Sequence, residues 1–157
     1  MQCRPIARVR HYGKARGRNL GYAKRMETLS FALALPLLAL SALHLLWAFR
    51  VWVPIRSEAA LARATTGFPG ATTMPSPLLC ALVAGVLLIG ATLPYWPESP
   101  LRSLMIWGMA AVFVGRGAIT YTAFWRKLTP VEPFATLDRR YYGPLCLILG
   151  ALSAVLA

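Results

Sequence analysis

Residues 101–125, LRSLMIWGMAAVFVGRGAITYTAFW, decide how this chain is read. A helix crosses a bilayer with about 20 apolar residues. This run is that long, and it holds a permanent charge, Arg116, in the string Val114-Gly115-Arg116-Gly117. A guanidinium at such a depth must be hydrated, paired or in use. Residues 29–53, 78–96 and 141–157 are three further apolar stretches and read as its neighbours. The expected fold class is all-α: a polytopic membrane protein, an antiparallel bundle of four transmembrane helices over residues 29–157, with a basic cytoplasmic tail over 1–28.

The composition agrees. Of 157 residues 57% are hydrophobic and 14% charged, and the mean hydropathy is +0.55, which is too apolar for the surface of a small soluble domain. The net charge of +12 resembles a nucleic-acid signal until it is located: eight of the 17 Lys and Arg residues, from Arg4 to Arg25, lie in the first 25 positions. No interleaved aromatics or recognition motif accompany them, so no nucleic acid is expected. A basic segment ahead of a span favours cytoplasmic retention and contact with anionic lipid. The expected partners are membrane lipids, together with a second copy of the chain or another membrane protein.

The apolar run that follows Lys24-Arg25 is not a cleaved signal. It reaches from Leu29 to Trp52 and ends in Trp47, Trp52 and Pro54 rather than at a small-residue cleavage site. Residues 50–77 form the longest connection, in which Ser57 can cap a short helix to Ala64 before Gly67, Pro69, Gly70, Pro75 and Pro77 break it. The turn from Pro94 to Pro100 is short, which predicts the second and third spans as antiparallel neighbours. On the second span Ala84, Gly85, Gly90 and Ala91 offer a face for close helix approach. The last span, Tyr141 to Ala157, is marginal in length for a crossing.

Orientation rests on the tail. Its eight cations and Arg102 stand against Arg50, Arg56, Arg63, Arg126, Lys127, Arg139 and Arg140 in the loops of the other side, so both termini are placed in the cytoplasm. Cys3, Cys80 and Cys146 have no metal-ligand spacing, and the latter two read as packed hydrophobes.

The polar residues of the spans converge. At 1.5 Å per residue His44 lies about 15 Å before Pro54 and Arg116 about 14 Å before Trp125, so the two fall at one level, somewhat outward of the midplane. Ser41, His44 and Trp47 share a helical stripe, and Arg116 and Thr120 are i,i+4. Asp138 enters at the start of the last span, with Glu132 in the loop above, and either carboxylate can pair with Arg116. Gly108, Gly115 and Gly117 thin the helix beside the arginine. Two readings follow. The group locks helices together, or His44, Trp47, Arg116, Thr120, Asp138 and Tyr142 form an outer-half pocket for a lipid or a small anionic or carbonyl-bearing ligand.

Residues 142–150, YGPLCLILG, with Phe134 and Leu137-Asp138 before them, resemble the closing signature of an uncharacterised family of small four-helix bacterial membrane proteins. His44-x-x-Trp47-Ala48 and Arg116-Gly117 match the same pattern, and the resemblance covers about residues 40–157. It implies an integral protein of a bacterial inner membrane and no reaction. The residues themselves show no Ser-His-Asp set, metal-ligand spacing, glycine-rich nucleotide loop or Cys-x-x-Cys pair, and they point to no catalytic residue, metal or cofactor. A small membrane-embedded binding or interaction protein fits with the fewest assumptions. The alternatives are a subunit of an oligomeric, proton-coupled or small-solute transporter, and a membrane enzyme using the His44, Arg116 and Asp138 group.

Overall fold

Serine and proline punctuation sets the helix starts. Ser76 precedes Pro77 and Ser99 precedes Pro100, and in each case the serine oxygen accepts from the backbone N–H three residues on. The proline occupies the first helical position, where its missing N–H costs nothing. Ser57 and Thr122 cap two shorter helices in the same way. The computed structural model describes the backbone of residues 7–157 and side chains from Gly21 onward. Cys3 and Arg4 lie outside the described residues.

The chain is all-α among the described residues, with helices α1 (Ala7–Ala48), α2 (Glu58–Thr65), α3 (Pro77–Thr92), α4 (Pro100–Ile119), α5 (Ala123–Leu128), α6 (Phe134–Leu137) and α7 (Gly143–Leu156). A 3-10 turn, Leu93–Tyr95, extends α3. A wide π turn, Asp138–Tyr142, joins α6 to α7 without a break. Helix α1 is already formed at Ala7, so the segment expected as a tail is continuous with the first apolar run.

Two antiparallel pairs build the bundle, α1 with α3 and α4 with α7. In the first, fully buried Leu33 and Leu37 pack near Ala91, and Ser41 Oγ donates to the Ala84 carbonyl at 2.8 Å. In the second, glycines let backbones touch. A Cβ on Gly150 would stand 2.6 Å from Val114 Cγ2 and 2.9 Å from the Val114 nitrogen, and one on Gly117 would stand 2.9 Å from the Gly143 carbonyl oxygen. Leu149 and Leu156 of α7 join the α1/α3 core and hold the two pairs together.

The second and third spans, expected as antiparallel neighbours, lie side by side but are not one of the two close pairs. Helices α3 and α4 diverge from their short turn, and an apolar groove of about 570 Å³ lies between them over Leu37. Met109 of α4 reaches across to Gly90 of α3, whereas the glycines of α4 and α7 bring two backbones together. Of the small-residue face expected on α3, Ala84, Gly90 and Ala91 are buried, but Gly85 meets open space.

At the end of the bundle that holds Ala157, Arg102 closes the helix termini. Its Nε donates to the Leu93 carbonyl at 3.2 Å and its Nη2 to those of Pro94 and Leu156 at 3.4 Å. A cation among unpaired C-terminal carbonyls is favoured by their partial negative charge. The opposite end carries α2, α5 and α6 as a cap. Gly67, at φ +67°, lets the cap loop pass under the Phe134 ring, where any Cβ would overlap it.

Among the described residues two helices qualify by length and apolar composition to cross a membrane, Gly21–Ala48 and Pro77–Tyr95. Helix α4 carries Arg102 and Arg116, and the apolar α7 alone has 14 residues.

Candidate functional site

Arg116 stands in the last turn of α4, and His44 in the last full turn of α1. Both helices stop sooner than expected, at Ile119 and Ala48 rather than near Trp125 and Pro54. The polar level is therefore close to the helix ends, not near the middle of a span. That position suits the arginine, since a helix C-terminus attracts positive charge.

The chain then folds back. Thr120 ends α4, Thr122 caps α5, and α5 returns Trp125 over the arginine, with the guanidinium carbon 5.0 Å from the ring centre. Arg116 Nη2 donates to Asp138 Oδ1 at 2.6 Å and Nη1 to Thr120 Oγ1 at 2.7 Å. Trp125 Nε1 donates to the other carboxylate oxygen, Oδ2, at 2.9 Å. Asp138 is 1% exposed and both its oxygens are engaged, while the Arg116 side chain is 31% exposed.

The acidic partner is thus Asp138. Glu132 instead accepts from the backbone N–H and hydroxyl of Thr136, at 3.1 and 3.0 Å, and serves the start of α6. Asp138 does not begin the last helix, as expected, but sits inside a helical column that starts at Phe134. Pro144 explains the wide turn there: it has no N–H for the Arg140 carbonyl, and the Gly143 N–H reaches back to Asp138 O instead.

On its exposed side Arg116 lines a cavity of about 690 Å³ between α1, α3, the last helical column and the cap. His44, Trp47, Tyr142, Cys80 and Cys146 line it too. His44 Nδ1 lies 2.8 Å from the Leu40 carbonyl oxygen, which can only accept, so Nδ1 carries the proton. Its Nε2 has no protein partner among the described residues. The His44 ring leans on Trp47 at 4.8 Å between centres. Trp47 is buried, and its indole N–H is spent on the Val53 carbonyl at 2.8 Å. Tyr142 OH donates to the Ala64 carbonyl at 3.2 Å and fastens the cap to the last helix.

The six residues singled out in the sequence therefore divide. His44, Trp47, Arg116 and Tyr142 face one cavity, whereas Thr120 and Asp138 are buried behind the arginine as its supports. Of the glycines expected to thin the helix beside Arg116, Gly117 is filled by Leu147 and the α7 backbone, while Gly108 and Gly115 have nothing within 4 Å.

Trp125 was read only as a depth marker, and its part in the site was missed. The signal that would have found it is Thr122, an N-cap residue three positions earlier. Arg126 was also missed. It donates to the Thr120 and Ala135 carbonyls at 3.4 and 3.2 Å and fixes α5 between α4 and α6. Cys80 and Cys146, read as packed hydrophobes, stand in the cavity wall. Among the described residues no group of three or more His, Cys, Asp or Glu could hold a metal ion.

Residues 37–153 match the family described as protein of unknown function DUF3995. The chain belongs to this family. The match runs from mid-α1 to near the end of α7 and takes in all six site residues, the cap and Trp125. Neither curated proteins nor solved structures gave a match. The family's description assigns no function, so a function for this member has to come from the cavity itself.

Proposed function

We propose that this DUF3995 protein spans a bacterial inner membrane four times, with both termini cytoplasmic, and binds a membrane amphiphile in the capped cavity. The ligand's apolar part fills the cavity and a head-group oxygen accepts from Arg116. One observation carries the reading: a mostly apolar cavity of about 690 Å³ in whose wall Arg116 and His44 hold nitrogen atoms without a protein partner among the described residues. A few polar groups in an apolar cleft of this size are the usual makings of a small-molecule site.

Support for a lipid setting comes from the outer surface. Leu82 and Val86 on α3, Leu104 and Val112 on α4, and Ile148 and Val155 on α7 are all exposed. Apolar patches that continue from helix to helix are rare on soluble monomers. Under this reading α4 and the column Phe134–Leu156 are spans as well, and Arg116 is tolerated near the helix end because Asp138 pairs with it.

The test is native mass spectrometry with lipid extraction on the wild type, Arg116→Gln and the cavity-filling Cys146→Phe, at matched thermal stability. The expected result is a co-purifying amphiphile whose occupancy falls in both variants. Equal occupancy of every species in all three proteins would leave packing as the better account of the polar residues.

A further inference from the structure

The charge balance at the cavity wall narrows the ligand class, and this step rests on the amphiphile reading above. We infer that the site takes an uncharged head group bearing a carbonyl or hydroxyl oxygen, in preference to an anionic one, because Asp138 has already neutralised Arg116.

Arg116 is the one charged residue among the described residues that line the cavity. Taken alone it would call for an anion. The guanidinium is not alone: Asp138, 1% exposed, holds Nη2 at 2.6 Å, and Trp125 Nε1 at 2.9 Å fixes the second carboxylate oxygen. The pair carries no net charge. An anionic head group on the cavity side would give the buried cluster a net negative charge, with Asp138 repelling it across the arginine. In a medium of low dielectric that repulsion is weakly screened, and the cost of stripping water from an anion is far larger than for a carbonyl.

Hydrogen-bonding capacity is nevertheless left over. A guanidinium has five N–H donors, and the protein accepts from two of them, one on Nη1 and one on Nη2. The donors left without a protein acceptor among the described residues suit an oxygen that brings lone pairs and no charge. His44 adds to this, since Nδ1 is committed to Leu40 O and, in the uncharged ring, Nε2 is an acceptor. A hydroxyl can give its proton there while its oxygen accepts from Arg116. A fully ionised head group has no proton to give Nε2.

The support on the far side makes the neutralisation a fixed feature. Thr120 Oγ1 accepts from Nη1 and lies 3.3 Å from the Arg116 carbonyl as its own acceptor, and Trp125 covers a face of the guanidinium. The arginine is thereby held to Asp138 and is not released to follow a charged ligand.

The experiment uses chain-matched probes on the full-length protein in nanodiscs of zwitterionic lipid: hexadecanamide and hexadecanol as uncharged heads, hexadecyl phosphate as the anion. Occupancy is read by native mass spectrometry, with Cys146→Phe as the control for binding inside the cavity. The wild type is expected to bind an uncharged probe at least tenfold more tightly than the phosphate, and Asp138→Asn to shift the ratio at least tenfold toward the phosphate. Cavity-dependent binding of the phosphate as tight as that of the uncharged probes overturns the inference and leaves the amphiphile reading in place. A neutral preference that is the same in Asp138→Asn also overturns it. Binding of no probe, or binding that Cys146→Phe does not reduce, overturns the cavity reading and this inference with it. The wild-type comparison decides even if Asp138→Asn does not fold.

Discussion

Arg116 on α4 and Asp138 at the head of the π turn, 22 residues apart in sequence, meet through a 2.6 Å bond between Nη2 and Oδ1. The bond ties α4 to the column that becomes α7, at the level where both enter the cap. Replacing Arg116 with Ala leaves a carboxylate that is 1% exposed without its cation. The expected loss is about 2–4 kcal/mol, toward the lower side of fully buried pairs because the arginine is partly exposed. Arg116→Lys should recover only part, since an ammonium cannot serve Asp138 and Thr120 together in the same plane. Thermal unfolding in detergent reads the effect, and an unchanged midpoint in Arg116→Ala would show that the pair is not structural.

Trp125 separates two contributions within one side chain. Trp125→Phe keeps an aromatic face over the guanidinium but removes the N–H that satisfies Asp138 Oδ2. A buried acceptor left unpaired costs about 1–3 kcal/mol. The ring contact alone is worth about 0.5–2 kcal/mol. Trp125→Phe should therefore destabilise measurably, and Trp125→Ala more so. Equal stability of Trp125→Phe and wild type would mean that water replaces the indole.

Much of this arrangement was legible in the sequence, and what was not has a common cause. The apolar runs and the Ser-Pro starts of α3 and α4 are local signals, and the structure has helices where they stand. The meeting of Arg116 with an acidic residue followed from the cost of an unpaired charge among apolar residues, a constraint that holds whatever the packing. Helix partners were another matter. The close face of α4 is Gly117 and not Gly115 or Gly108, which depends on where Leu147 and Gly143 lie on a helix distant in sequence. Hydropathy could not show the break after Ile119 either, because Phe124 and Trp125 continue the apolar run past the end of the helix. The π turn was written in Gly143-Pro144 but was read only as part of a signature.

Gly150 tests the α4/α7 crossing. A methyl there would meet the Val114 backbone nitrogen at 2.9 Å and the Ala110 carbonyl oxygen at 3.2 Å, neither of which is a movable side-chain tip. Gly150→Ala should push the helices apart and cost about 1–3 kcal/mol. Gly85→Ala, where nothing lies within 4 Å, is the matched control and should be neutral or slightly stabilising. If both variants unfold at the same temperature, the close crossing is not present.

Gly67 tests the cap. Its φ of +67° is in the left-handed region, and a Cβ would run into the Phe134 ring, so Gly67→Ala carries backbone strain and a clash at once. Both act on the loop that roofs the cavity, where Tyr142 OH holds Ala64 O and the Val131 N–H reaches Gly67 O at 3.4 Å. Hydrogen exchange should rise in α2 and α6 while α1 and α3 stay protected. Uniform exchange across the chain would mean that the cap does not move as a unit.

The four-span arrangement stands or falls on which side each end of the bundle faces. Gly70 lies in the cap connection between α2 and α3, and Glu98 lies in the turn between α3 and α4. Helix α3 separates them and is apolar and long enough to cross a bilayer. The pairs α1/α3 and α4/α7 are both antiparallel, so the cap gathers at one end, and the Pro94–Pro100 turn and Ala157 at the other. Cysteines introduced at Gly70 and at Glu98, in a background free of Cys3, Cys80 and Cys146, should react with an impermeant maleimide from opposite faces of the membrane. The cap position is expected to label from outside intact cells, because eight cations in residues 1–25 favour a cytoplasmic start for the first span under the proposed topology. Opposite labelling with the sides exchanged would keep the bundle and reverse its orientation, a result that the cap's own Arg56, Arg63, Lys127 and Arg140 would then explain. Labelling of both positions from one side would remove α3 as a span, and with it the four-span reading.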